Sequence, residues 1–210
     1  MTPASDKNLP PNDDFLPTKR SSSIRMLWLL SILALLTSTL YPSDLACYEL
    51  QKGSSIAPQA AYVTENYGRF INTALQIGLP LAYRDVAGIV QLAKVAIATT
   101  LATHGAKRLL NGLTIRDTRL GQRPSSPNSR HNMPSGHSSM ASSGFYFVCR
   151  RYGWMLAILT LPIMLLTMHA RVALDMHTIS AVISGALLGI MVTAIFTTKR
   201  ETDTKNDAAV

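Results

Sequence analysis

The sequence predicts an all-α integral membrane protein built as a bundle of six transmembrane helices, and three observations carry that expectation. Of the 210 residues 47% are apolar and only 15% charged, with a mean hydropathy of +0.16, a balance that suits a chain solvated by lipid. The apolar residues gather in six runs, near 26–41, 69–83, 86–103, 137–149, 153–170 and 177–198. Basic residues flank these runs in an alternating order that antiparallel spans would bring to one face.

Taken along the chain, residues 1–25 mix Pro, Ser, Asn, Asp and Lys without an apolar period and are expected to form a disordered cytoplasmic arm. The first run follows Lys19, Arg20 and Arg25. No small-residue cleavage site follows its apolar core, so it reads as an uncleaved anchor. Several runs are shorter than the roughly 20 residues needed to cross about 30 Å of hydrocarbon, so their polar ends must belong to the helices too. Arg84 follows the second run, Arg150 and Arg151 the fourth, and Lys199 and Arg200 the sixth. Together with the N-terminal group they orient both termini to the cytoplasm. Residues 26–198 then form the membrane-embedded domain, 199–210 a cytoplasmic tail, and 42–68 a long connection. Ser138, Ser139, Ala141, Ser142, Ser143 and Gly144 thin the fourth run, and Gly185 and Gly189 form a small-x3-small pair in the sixth. Both patterns predict close helix packing.

One segment breaks the orientation rule. Residues 104–134 hold Lys107, Arg108, Arg116, Arg119, Arg123 and Arg130 against the single acid Asp117, five of the chain's net +8, on the face opposite the other basic groups. An anionic substrate on the outer face explains so basic a translocated loop. Nucleic acid does not, because the loop has no interleaved aromatics and is tethered beside a bilayer.

The same region carries the chemistry. Arg123-Pro124 is followed by Pro134-Ser135-Gly136-His137 and then by Arg171 with His177 six positions on. A phosphate ester in a headgroup needs charge neutralisation, a nucleophile and an acid for the departing oxygen. Lys107, Arg123 and Arg171 can supply the charge. Ser135 and the amides of Ser135 and Gly136 can cradle oxygens at a helix start. A neutral imidazole can attack phosphorus and a protonated one can donate to an alkoxide, so His137 and His177 can divide the work. No metal-ligand spacing is present.

In this order the runs resemble the type 2 phosphatidic acid phosphatase superfamily, which also includes the vanadium haloperoxidases. Its pattern is Lys-x6-Arg-Pro, then Pro-Ser-Gly-His, then Ser-Arg-x5-His-x3-Asp. The resemblance implies the superfamily's helical bundle, with His177 as a nucleophile forming a phosphohistidine and His137 as the general acid. It further implies that Lys107, Arg123, Ser135, Gly136 and Arg171 bind phosphate, with no metal or other cofactor. Three positions depart from the pattern. Arg116 stands seven residues before Arg123, where the family has its lysine, so Lys107 fits only if the loop carries an insertion; Lys107 is preferred, with Arg116 as possible support. Ala170 replaces the serine of the third motif. Ala181 replaces its aspartate, leaving Asp175, Thr178 or a backbone carbonyl to orient His177, with Asp175 favoured.

Further stretches narrow the likeness to the lipid A 1-phosphatase branch: Ala98 to Leu101 through Lys107-Arg108, Arg119 to Pro124, His131-Asn132-Met133, Leu174 to Thr178, Arg69-Phe70-Ile71 and Arg84-Asp85. This branch implies removal of the 1-phosphate of lipid A on the periplasmic leaflet of the bacterial inner membrane. Undecaprenyl diphosphate, phosphatidylglycerophosphate and transfer to a second acceptor are the competing enzymatic readings. An anion transporter is the non-enzymatic one. It would need ionisable residues spread through the spans, where only Lys94 lies.

Overall fold

The computed structural model describes residues 19–43, 45 and 59–200. It is predominantly helical. Helix α1 is Lys19–Leu40, α2 Gln59–Asn66, α3 Ile71–Ala82, α4 Val86–Leu110, α5 Gly136–Tyr152, α6 Ala157–Ala173 and α7 Ile179–Phe196. Single 3-10 turns precede α3 and α6, at Gly68–Phe70 and Trp154–Leu156. Every apolar run of the sequence thus becomes a helix. Helix α1 starts at Lys19, inside the stretch expected to be an irregular arm. The remainder of that arm and residues 201–210 of the tail lie outside the described residues.

Four segments are long and apolar enough to cross a membrane: Ser23–Leu40, Val86–Leu110, Trp154–Ala173 and Ile179–Phe196. The other two fall short for different reasons. Helix α3 has 12 residues, about 18 Å at 1.5 Å per residue. It is preceded almost without a break by α2 and the 3-10 turn, in a region the sequence reads as a connection. Alone α2 is too short and too polar to persist, and it is held by packing on α6, with Ala61 buried.

Helix α5 falls short because it is the centre of the bundle rather than part of its lipid-facing wall. It packs against α3, α4, α6 and α7. Small residues let the neighbours approach, and polar atoms bond across the interfaces. The Asn72 amide donates to Ala141 O at 3.0 Å and Thr160 O at 2.9 Å. Thr193 donates to Ser143 at 2.8 Å, and Thr103 and Ser139 hydroxyls meet at 3.0 Å. Below them Val95, Phe147 and Val148 are fully buried against Leu75, Leu79, Leu92 and Phe196. Large apolar side chains cover the outside, among them Leu29, Leu33, Leu101, Ile158 and Ile195.

Two ends result. At one, Asp85 caps α4 by accepting from Gly88 N–H and takes a bidentate pair of bonds from Arg151, both at 2.5 Å, with Tyr152 OH at 2.9 Å. The Arg151 guanidinium holds the Asp85 carboxyl well below the usual carboxylate range. Arg200 lies over the Tyr83 ring at 4.6 Å, so the chain after α7 is tied to this end. Gly153, at φ +125, turns the chain from α5 into α6 in a conformation that favours glycine.

The other end is built from the segment between α4 and α5. A hairpin, β1 Thr114–Ile115 paired antiparallel with β2 Thr118–Arg119, covers a small cluster of Leu120, Met133 and Ala181. Arg119 fastens it by donating to Asn111, Pro127 O and Ser129 O. Thr118 donates to Ser43 O just past α1. This end gathers the motif residues.

Candidate active site

Four helix termini converge on the site, and sequence explains each. Ser135 caps α5 by accepting from Ser138 N–H, and Thr178 caps α7 by accepting from Ala181 N–H, both through preferred N-cap oxygens. Helix α6 delivers Arg171 in its last turn, and α4 extends past the apolar run to carry Lys107. The cis peptide Met133-Pro134 leads into the turn that starts α5.

His177 is 1% exposed, and its Nδ1 lies 2.8 Å from the backbone oxygen of Asn132. A carbonyl can only accept, so Nδ1 carries the proton and Nε2 presents its lone pair. Burial first, then the charges of Lys107, Arg171 and Arg123, push His177 well below the usual imidazole range. It is neutral, as a nucleophile must be. The Asn132 side chain fixes the same junction, accepting from Thr178 N–H at 3.1 Å and donating to Thr178 Oγ1 at 3.2 Å.

The expectation that Asp175 orients His177 is therefore corrected: the partner is Asn132 O. Asp175 sits at φ +51 and accepts Ser125 N–H with its own carbonyl at 3.0 Å, a turn conformation that aspartate tolerates. Ala181 is fully buried in the apolar cluster beneath the hairpin, where an unpaired carboxylate would be costly.

Around His177 stand the cations. Lys107 is 9% exposed and its Nζ donates to Pro134 O at 2.6 Å and His131 O at 2.7 Å, which leaves one proton for a ligand. Arg123 Nη2 reaches His131 O at 3.5 Å. Burial, and after it the Arg171 charge, push Arg123 below the ordinary guanidinium range. Among the described residues the Nε atoms of Arg69, Arg123 and Arg171 are buried without a hydrogen-bond partner. A phosphoryl group has the acceptors that such donors require. Gly136 opens the first turn of α5, where N–H groups have no intrahelical acceptor, and it lines the same cleft as Lys107, Arg123, His137 and His177.

Two further sequence expectations are revised. Ser135 does not face the cleft: it is fully buried, its N–H donates to Ala181 O at 2.9 Å, and its oxygen takes Ser138 Oγ at 3.0 Å. It shapes the turn instead. Arg116 is exposed at φ +52 on the tip of the hairpin, whereas Lys107 lines the cleft. The hairpin lies in the chain between Lys107 and Arg123. Lys107→Met should accordingly lower kcat/KM for phosphate release by about 100-fold, while Arg116→Ala stays within about twofold. Equal losses in steady-state assays would return the first-motif role to Arg116.

Glu65 and Arg69 complete the cluster. Glu65 Oε1 lies 2.6 Å from both Arg69 Nη1 and Arg171 Nη1, and Arg69 Nη1 lies 2.5 Å from His137 Nε2. No motif points to Glu65. Its only signal in the sequence is the i,i+4 spacing from Arg69. From this cluster a cleft of about 710 Å³ descends between Gln76 and Ile77 of α3 and Leu92 and Ala96 of α4, over Met140 and Ser143 of α5. On α4 it runs from Lys107 to Leu92, about 22 Å at 1.5 Å per residue.

Comparisons with known proteins agree with this arrangement. A lipid A 1-phosphatase of Helicobacter pylori strain ATCC 700392 / 26695 is 47% identical over 144 residues, 69% of this chain and 75% of the relative. Its counterpart in strain J99 is 48% identical over 143 residues, 68% and 74% of the two chains. A lipid A 4'-phosphatase of strain J99 is 33% identical over 147 residues, 67% and 73%. No solved structure matches. Residues 88–205 match the PAP2 superfamily, and with the three motifs gathered at one end of the bundle the chain belongs to that superfamily.

Proposed function

We propose that this protein is a lipid phosphatase that removes the 1-phosphate of lipid A through a phosphohistidine at His177. The observation that carries this reading is the buried, neutral His177 Nε2 beside Lys107, Arg123 and Arg171, at the head of a cleft that runs down the bundle between α3 and α4. A phosphate on a lipid can bind the cations while an acyl chain lies along the cleft. The identity to 1-phosphatases exceeds that to the 4'-phosphatase, which favours the 1-position.

In the first step Nε2 attacks phosphorus, the bond from phosphorus to the sugar oxygen breaks, and that oxygen takes a proton from His137. In the second, His137 accepts a proton from water as its oxygen attacks the phosphohistidine. Phosphate leaves and His177 is regenerated. Lys107, Arg123, Arg171 and the open amides of α5 stabilise the equatorial oxygens in both steps.

We further read α3 with α2, and α5, as spanning segments, making six spans in the inner membrane with the His177 end periplasmic. Arg84, Arg150, Lys199 and Arg200 at the opposite end support that orientation. Transport is disfavoured by the packed centre, where Val95, Phe147 and Val148 are fully buried between the two ends.

Incubating the purified protein with lipid A in detergent and weighing the product by mass spectrometry tests the reading. Loss of one phosphate, mapped to the 1-position, is expected. Loss from the 4'-position would reassign the regiochemistry. Intact lipid A alongside cleaved undecaprenyl diphosphate or phosphatidylglycerophosphate would replace the substrate.

A further inference from the structure

The contact between Arg69 and His137 is at odds with His137 acting simply as a standing acid. A guanidinium has only protons to give, so His137 Nε2 must accept, and the imidazole held by Arg69 is neutral with its proton on Nδ1. An imidazolium has no lone pair for Arg69. Protonating His137 therefore breaks this contact and sets two cations side by side, unless an anion lies close. Glu65 is that anion, 2.6 Å from Arg69 and equally close to Arg171.

We propose that Glu65 and Arg69 are positioning residues for the two catalytic steps, Arg69 holding His137 by Nε2 and Glu65 holding both Arg69 and Arg171. The pair supplies from α2 and the following 3-10 turn a carboxylate that the third motif, with Ala181, lacks. That carboxylate does not contact His177. It acts on the other side of the site, on the general acid and on a phosphate-binding arginine.

Geometry supports the assignment. The four groups form one chain of contacts, Arg171 to Glu65 to Arg69 to His137. Arg69 is further fixed over the Phe70 ring at 4.6 Å, a cation–π contact that holds its guanidinium plane. Among the described residues Glu65 Oε2, Arg69 Nε and Arg171 Nε are buried without hydrogen-bond partners, so each keeps an unmet bonding requirement. The charges acting on His137 come from every element around it: Arg69 and Glu65, Lys107 of α4 and Arg171 of α6, while His177 and Arg123 line the same cleft.

The step sequence gives the pair its use. When His137 has passed its proton to the departing sugar oxygen, its Nε2 lone pair is taken up by Arg69, which keeps the imidazole in place. Exchange of that contact for the proton of the attacking water returns the acid, with Glu65 balancing the charge.

This inference rests on reading His137 as the proton donor, and pH profiles separate the two. In kcat/KM for phosphate release, the alkaline limb reports the protonated acid of the free enzyme. Removing a cation favours the imidazolium and removing an anion disfavours it. Arg69→Gln should therefore move the alkaline limb up by about one pH unit, and Glu65→Gln should move it down by about as much while raising KM, because Arg171 loses its anchor. Arg69→Lys and Glu65→Asp should restore most of the wild-type profile, and they keep the test available if a glutamine variant does not fold. Uniform loss at every pH with the limb unmoved, or shifts in the same direction, would overturn the pair while leaving His137 as the acid. A wild-type alkaline limb that survives in His137→Ala would overturn both readings.

Discussion

Replacing His177 with alanine is expected to stop phosphate release, by on the order of 10⁴-fold or more, and to abolish covalent labelling by a phosphate-labelled lipid. The expectation follows from what holds the ring. Nδ1 is committed to Asn132 O at 2.8 Å, and the residue is 1% exposed. Only Nε2 can therefore meet phosphorus, with the charges of Lys107, Arg171 and Arg123 around it. Rapid-quench kinetics check it: wild type should form an acid-labile, base-stable phosphoenzyme, and His177→Ala should form none. A mutant with an unchanged rate would remove the covalent mechanism. The pH dependence has a defined sign. Because burial and neighbouring cations lower His177 below the imidazole value of 6.5, its neutral form persists as pH falls through that value. An acid limb between pH 7 and 6 therefore belongs to titration of the substrate phosphate and should be the same in Asp175→Asn as in wild type.

Much of this site is legible in the sequence because its parts are side chains at fixed spacings. Pro134 to His137 and Arg171 to His177 declare themselves, and the caps Ser135 and Thr178 sit where α5 and α7 begin. What escapes the sequence is of another kind. The group that orients His177 is a main-chain oxygen, and every residue has one, so nothing in the letters marks Asn132 over Asp175. The role of Ser135 inverts for a related reason: its type suits both a phosphate cradle and a helix cap, and only the burial of its amide against Ala181 decides. Counting back seven residues from Arg123 lands on Arg116, because a four-residue hairpin ladder with its turn is invisible to linear spacing. Glu65 lies in a polar stretch whose helix forms only against α6. The six apolar runs read correctly as helices. Yet the run that matters most, α5, is the least apolar of them, since a central helix contacts other helices on nearly all sides and needs small hydroxyl-bearing residues there.

The second large effect is expected from a position with no chemistry of its own. A methyl group added at Gly185 would meet the backbone of Ser135, with its N at 3.0 Å, its carbonyl carbon at 3.1 Å and its oxygen closer still. Backbone cannot swing away as a side chain can, so Gly185→Ala must push the Pro134–His137 turn off α7. That displacement also strains the bond from Ser135 N–H to Ala181 O, moves the open amides of α5, and carries His137 away from Arg69. Overpacking of this kind costs about 1–3 kcal/mol, and a shift of about 1 Å in a catalytic group costs on the order of 100-fold in rate. Gly78→Ala and Gly105→Ala provide the comparison within the same molecule, because an added methyl there meets nothing within 4 Å. Both should hold their activity and unfold in detergent at or slightly above the wild-type temperature, since alanine is the better helix former. Gly185→Ala should unfold earlier and lose most of its phosphate release. If all three variants behave alike, the small-residue seam between α5 and α7 is a feature of lipid-phase packing alone. If only Gly185→Ala fails, the seam is what sets the distance between the general-acid turn and the nucleophile, and the chemistry of this site depends on how closely two helix backbones approach.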